Sequence, residues 1–462
     1  MEINEILVIG MFLTFIMLLF TGFPVAFVLG GVGVFFAFIG YLSDIYLDTF
    51  TGLDYLTLTL VVNRVYKVMD NWIMVALPMF IFMGIMLDRS GVAERLMHSI
   101  QQLFGRVHGG LAITVTMIGI ILAASTGIVG ASVVLLGLMS LPAMQAQNYN
   151  KPLALGAIAS AGTLGILIPP SIMLVIMADQ LALSVGDLFM GAVAPGFLLG
   201  FMYIVFLVAV GIVRPSMFPL PEEAKKVDWG VILEVFKSIL PPVVLIFAVL
   251  GSIFAGIATA TEASGVGAFG ATLLAWWNKK LNFSVFKGVL NGTYNTTAYI
   301  FAVFLGATCF ALVLRELGGD ELIESWLHAL PFGDYGIIVC VLLIIFLLGF
   351  FLDWIEITLI VLPLLAPVIS ALDLNINGYG VIDNPELVWF VMLVAMALQT
   401  SFLTPPMGFS LFYLKGVCPP DVKLSDIYKG VVPFIILQLI ALAIIVAWPQ
   451  LVLWLPAAAY GS

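Results

Sequence analysis

The chain has 462 residues, 62% of them hydrophobic and only 10% charged, with a mean hydropathy of +1.18 and a formal net charge of −10. That composition excludes a soluble globular domain, and apolar runs of about 20 residues along the whole length indicate an all-α polytopic membrane protein. Cys309, Cys340 and Cys418 lie far apart without CxxC spacing. There is no GxxxxGKS/T, HExxH or basic nucleic-acid patch, so disulfide frameworks, Walker-type nucleotide sites and zinc-protease chemistry are excluded as well.

The start, Met1 to Glu5, is acidic where a signal peptide would be basic, so the first helix is expected to be retained. Helices are predicted at 5–21, 23–42 and 72–89, followed by a polar, helix-compatible stretch from Val92 to Phe104. Two arms, 110–124 and 130–146, are each too short to cross with certainty and flank Ala123 to Gly127, which reads as a re-entrant hairpin. A helix over 152–178 is broken by Pro169-Pro170, and a span follows at 188–213. After a Pro-containing linker, Lys225 to Lys237 places Trp229, Ile232, Leu233 and Phe236 on one face, as an interfacial helix would.

The second half repeats the order. Spans are predicted at 239–256, 261–277 and 297–315, then a polar stretch from Glu316 to Phe332, then a hairpin with arms 337–349 and 357–371. The second broken helix, 386–414, carries Pro405-Pro406, and the last span is 430–453. Each half makes five crossings if its hairpin counts as none, and an odd number forces the two repeats to be inverted. Of the 17 basic residues, this map leaves only Arg64, Lys67 and Arg315 on one side. The other side is therefore expected to be cytoplasmic, with both termini external and the external face acidic.

Proline breaks at membrane depth free carbonyls that no water can reach, and matched breaks in two halves mark a transporter binding site. Ser125, Thr126 and Gly127 at the first tip, with Gly162, Thr163, Gly165 and the Ile168 carbonyl, offer a hard-oxygen shell suited to sodium. A second such site is read from Gly349 and Asp353 at the second tip with Gln399, Thr400 and Thr404. A solute between the breaks would meet Ser132, Pro169, Pro170, Ser171, Glu356, Pro405 and Pro406. Small residues at these positions also serve close helix packing. Glu262 reads as a carboxylate favoured at a helix N-terminus.

In this order the motifs resemble the large membrane subunit of tripartite ATP-independent periplasmic (TRAP) transporters. The resemblance covers essentially the whole chain and rests on Gly22 to Phe27, Leu77 to Gly84, the Ser125-Thr-Gly tip, Ile168 to Ser171, Thr259 to Ala263, Gly349 to Asp353 and Thr404 to Gly408. It departs at Trp354, where family members commonly have Pro, and in the insert from Asp373 to Pro385. The resemblance implies an elevator-type importer of an organic acid in a bacterial inner membrane, not an enzyme, with sodium as coupling ion and no cofactor. It further implies a small four-helix membrane subunit, here a separate chain, and a periplasmic substrate-binding protein, with no nucleic acid partner. Residues 1–109 are then expected to hold scaffold helices and an arm, 110–187 the first half of the transport domain, 188–336 further scaffold, 337–417 the second transport half and 418–462 the last scaffold helix. The alternative is a stand-alone sodium- or proton-coupled anion carrier without a binding protein. A channel is disfavoured, because a pore has no need of duplicated hairpins.

The basic-residue split predicts that single cysteines at Lys151 and Lys226 react with an impermeant thiol reagent only from the cytoplasm, and one at Asp383 only from outside. Labelling of all three from one face refutes the inverted topology.

Overall fold

A computed structural model describes residues 3–126, 129–220, 228–374, 376 and 379–460. All regular elements among them are helices: α1 Ile3–Leu19, α2 Val25–Tyr46, α3 Tyr55–Asp70, α4 Ala76–Arg89, α5 Val92–Phe104, α6 Gly110–Thr126 and α7 Val129–Ala146. Then come α8 Lys151–Thr163, α9 Ile172–Gln180, α10 Val185–Val213, α11 Trp229–Phe254, α12 Ala260–Trp277, α13 Phe283–Glu316 and α14 Gly319–His328. The last are α15 Asp334–Leu348, α16 Trp354–Glu356, α17 Leu362–Ser370, α18 Pro385–Leu403, α19 Phe409–Val417, α20 Leu424–Ala447 and α21 Gln450–Tyr460. Eight helical segments among the described residues are long and apolar enough to cross a membrane.

The order of elements follows the sequence-based expectation, with four differences. Residues 43–71 contain α3, which the alternating Leu-Thr-Leu-Thr-Leu run disguised. Asp54 caps it by accepting from the Thr57 amide, and Thr57 bonds back to Asp54. The interfacial helix and following span are one helix, α11, that runs through Pro241 and Pro242; residues 221–227 lie outside the described set. Asn282 caps α13 well before the expected start, because a run of Asn and Thr (Asn291, Thr293, Asn295 to Thr297) hides its first turns. The last expected span is two helices, α20 and α21, parted at Trp448-Pro449.

Packing sorts the helices into two sets. In the first, α2 lies along α13, α4 along α12, and α11 beside α12 and α5. In the second, α8 lies along α20, α7 against α8 and α19, and α18 against α15, α20 and α10. Both sets depend on glycine at their tightest crossings. A Cβ built on Gly430 of α20 would lie 1.9 Å from the Pro152 carbonyl oxygen, and one on Gly156 of α8 would lie 2.0 Å from that of Gly430. Likewise a Cβ on Gly306 of α13 would fall 2.2 Å from the Ala26 oxygen of α2. With no hydrophobic force to drive helices together in lipid, backbone approach of this kind supplies the dispersion contact instead. The α8 end of the second set is also tied by Lys151, whose Nζ lies 2.6 Å from Asp421 and holds that exposed carboxyl below its ordinary range.

Gly430→Ala must push α20 away from α8, and is expected to cost about 1–3 kcal/mol by overpacking. Gly251→Ala, where nothing lies within 4 Å of the added carbon, should be neutral. Thermal midpoints in one detergent check the pair; equal midpoints would show that the crossing is looser than described.

Candidate functional site

Each broken helix stops at a Pro-Pro pair and resumes as a short helix. The first passes from α8 through a 3-10 turn, Leu164–Ile166, to the cis peptide Pro169-Pro170 and on to α9. The second passes from α18 to the cis peptide Pro405-Pro406 and on to α19. In both, a serine just beyond the break reaches back: Ser171 Oγ donates to the Ile166 carbonyl at 2.7 Å, and Ser410 Oγ to the Phe402 carbonyl at 2.5 Å. Tyr428 donates to the Pro406 carbonyl at 3.0 Å. Side-chain donors thus replace the helical amides that proline removes.

The sequence-predicted residues come together in part. Gly127 lies outside the described residues, as do the side chains of Ser125 and Thr126. Thr163 is fully buried; its hydroxyl donates to the Ser160 carbonyl at 2.9 Å and accepts from Gln399 Nε2 at 3.4 Å. This bond joins the two broken helices at the centre of the second packing set. Gly165 and Ile168 are buried in the turn. Gly162 has a packing reason of its own, since a Cβ there would sit 2.9 Å from the Val133 backbone of α7. Ser132 is buried in α7.

At the second tip, Asp353 caps α16 by accepting from the Trp354 amide at 2.8 Å. Glu356 is 2% exposed, and its Oε2 has no partner among the described residues. Near this tip, Ser401 of α18 donates to the Phe346 carbonyl at 2.8 Å and sits against Gly349. Gln399, expected at the second tip, reaches Thr163 instead. Thr400 and Thr404 spend their hydroxyl protons on carbonyls of their own helix, at 2.8 and 2.7 Å, leaving lone pairs free.

Four further residues belong here that the sequence reading did not find. Tyr413 of α19 packs against Gly130, at the start of α7, and lies within electrostatic range of Asp353. It therefore lies between the start of α7 and the charge of the second tip. Tyr299 of α13 approaches Asp353 and Glu356 from the other set. Tyr203 of α10 and Gln438 of α20, both fully buried, face Gln399. The Gln399 Oε1, the Tyr203 hydroxyl and both polar atoms of Gln438 make no hydrogen bond of normal geometry among the described residues. A lone Gln or Tyr inside an apolar span was the available signal.

Cysteines replacing Gly130 and Tyr413 in a chain without Cys309, Cys340 and Cys418 should be joined by a short bifunctional thiol reagent. No cross-linked species by mass spectrometry would mean that Tyr413 does not sit against Gly130.

Residues 12–451 match the family described as "Tripartite ATP-independent periplasmic transporter, DctM component". The chain is 27% identical over 441 residues to the sialic acid TRAP transporter large permease protein SiaM of Vibrio cholerae, covering 95% of this chain and 96% of that protein. It is 29% identical over 401 residues to the C4-dicarboxylate TRAP transporter large permease protein DctM of Pseudomonas aeruginosa, covering 85% and 88%. Its fold is similar to that of the YdaH transporter of Alcanivorax borkumensis, with a TM-score of 0.60 at 11% identity over 86% of this chain and 90% of that one.

Proposed function

The chain belongs to the DctM component family of tripartite ATP-independent periplasmic transporters, and we propose that it is the large subunit of a sodium-coupled, binding-protein-dependent carrier that imports an organic acid across the inner membrane. It is a multi-pass membrane transport protein and not an enzyme. Relatives named for sialic acid and for C4-dicarboxylates support a carboxylate as cargo.

The observation that carries the ion coupling is the buried Glu356 Oε2, which has no hydrogen-bond donor among the described residues, with Gln399 Oε1, facing the Tyr203 hydroxyl, as a second buried acceptor. A buried acceptor without a donor is costly, and a buried carboxylate needs a cation or a proton. Sodium supplies the cation, held by these oxygens together with the Thr163, Thr400 and Thr404 lone pairs and the carbonyls before each break. Between the breaks, Ser132, Ser171 and the Pro169-Pro170 and Pro405-Pro406 turns offer the cargo surface.

The inverted repeat is supported by reciprocal packing. If α2 corresponds to α12, and α4 to α13, then the α2–α13 and α4–α12 pairs exchange under a two-fold axis. The α8–α20 and α18–α10 pairs exchange in the same way. An elevator follows, with the second packing set sliding on the first. Sequence order alone grouped α10 and α20 with the scaffold; their contacts with α6, α8 and α18 favour placing them in the sliding unit. The outward face of α11, with Trp229, Phe236 and Phe247 exposed, belongs to the least buried of the eight spans and suits the small membrane subunit.

Assemblies with the small subunit are reconstituted into sodium-free liposomes and given binding protein with labelled succinate or sialic acid. Uptake is expected with sodium outside and to fall at least about tenfold with choline. Equal rates in both overturn sodium coupling and favour protons carried at Glu356. Uptake that persists without binding protein favours the stand-alone carrier.

A further inference from the structure

Away from the tips, a cavity of about 440 Å3 opens where α3, the end of α13, the end of α9 and the returning arm of the second hairpin meet. Its cations are Arg64 and Lys67, one turn apart on α3, and Arg315 at the end of α13. These are the three basic residues that the topology assigns to the otherwise acidic face. None makes a hydrogen bond or salt bridge among the described residues, and Arg64 lies close enough to Arg315 to feel its charge. Glu316 offsets part of that repulsion at Arg64. The one acid lining the cavity, Asp179, is already engaged, by Asn71 Nδ2 and by Gln180 Nε2.

Three cations against one lining carboxylate leave the cavity net positive, and that excess costs energy unless something anionic spends time between them. A walled pocket of one sign also focuses its field and raises the local concentration of the opposite charge. The volume suits a small organic molecule. The walls come from both packing sets: α3 and α13 on one side, Asp179 and the hairpin residues Leu359 and Pro363 on the other. Sliding of one set on the other therefore reshapes the cavity.

We propose that this cavity is an anion-capture vestibule, which receives the carboxylate of a small organic acid on the acidic face and holds it before it reaches the tips. The identity of the anion rests on the transport reading above; the capture of an anion does not. Two contributions are expected. The cations offset the repulsion that the acidic face imposes on an approaching carboxylate, and the change in cavity shape releases the anion as the sets move.

Thr308 lines the cavity and accepts a cysteine in a chain lacking Cys309, Cys340 and Cys418. On the purified chain, its rate with an anionic methanethiosulfonate is compared with its rate with a cationic one. The anionic-to-cationic ratio should fall at least about fivefold in the Arg64→Gln/Lys67→Gln/Arg315→Gln variant. Millimolar succinate should slow the anionic reagent on the parent and not on that variant. Arg315→Gln alone should give part of the fall and covers the case where the triple variant does not fold. A Lys151→Gln control should give none. A ratio insensitive to Arg315→Gln overturns the vestibule. So does protection by phosphatidylglycerol but not succinate, which assigns the cavity to a lipid headgroup. If the ratio and the protection behave as expected while the parent assembly carries no organic acid into liposomes, the vestibule stands and the transport reading fails.

Discussion

Everything in this structure depends on keeping backbone polar groups satisfied where the chain breaks inside a membrane. Two proline pairs remove amides from the middle of the α8–α9 and α18–α19 segments. In hydrocarbon each freed carbonyl would cost several kcal/mol. Ser171 and Ser410 answer two of these carbonyls, and Tyr428 a third. The breaks are thereby held as fixed turns, the first buried throughout and the second half-exposed at Thr404 to Met407.

Burial of the breaks requires a tight sheath, and glycine provides it. Gly156 and Gly430 let α20 press its backbone on α8, and Gly306 lets α13 do the same on α2. These crossings are internal to each packing set. Between the sets lie polar contacts such as Asn71 with Asp179, and a cavity of about 440 Å3 lined in part by Arg64, Lys67 and Arg315.

Where the two broken helices meet, the interior of the second set gathers Thr163, Gln399, Tyr203 and Gln438. Their unspent acceptors lie where both broken helices touch, so any ion or proton drawn to one helix is felt by the other. Relatives with 27% and 29% identity, named for quite different acids, share this length of chain.

The sequence by itself determined the all-helical membrane class and both Pro-Pro breaks, because apolar length and proline are local signals that lipid makes decisive; it read the arm 130–146 as too short to cross with certainty, whereas α7, Val129–Ala146, is long and apolar enough to do so. It did not show α3, whose alternating Leu-Thr run reads as a strand or a loop until Asp54 caps it. Nor did it show that Pro241-Pro242 would pass unbroken through α11 while Pro169-Pro170 breaks its helix; whether neighbouring groups re-satisfy the lost bond is settled by packing. Only the tertiary structure decided that Gln399 turns to Thr163 and Ser401 to the second hairpin, that Tyr413 lies between Gly130 and Asp353, and that three distant cations share one cavity. Those meetings join residues from 55 to more than 200 positions apart, and no local propensity carries information about which faces of two helices will touch.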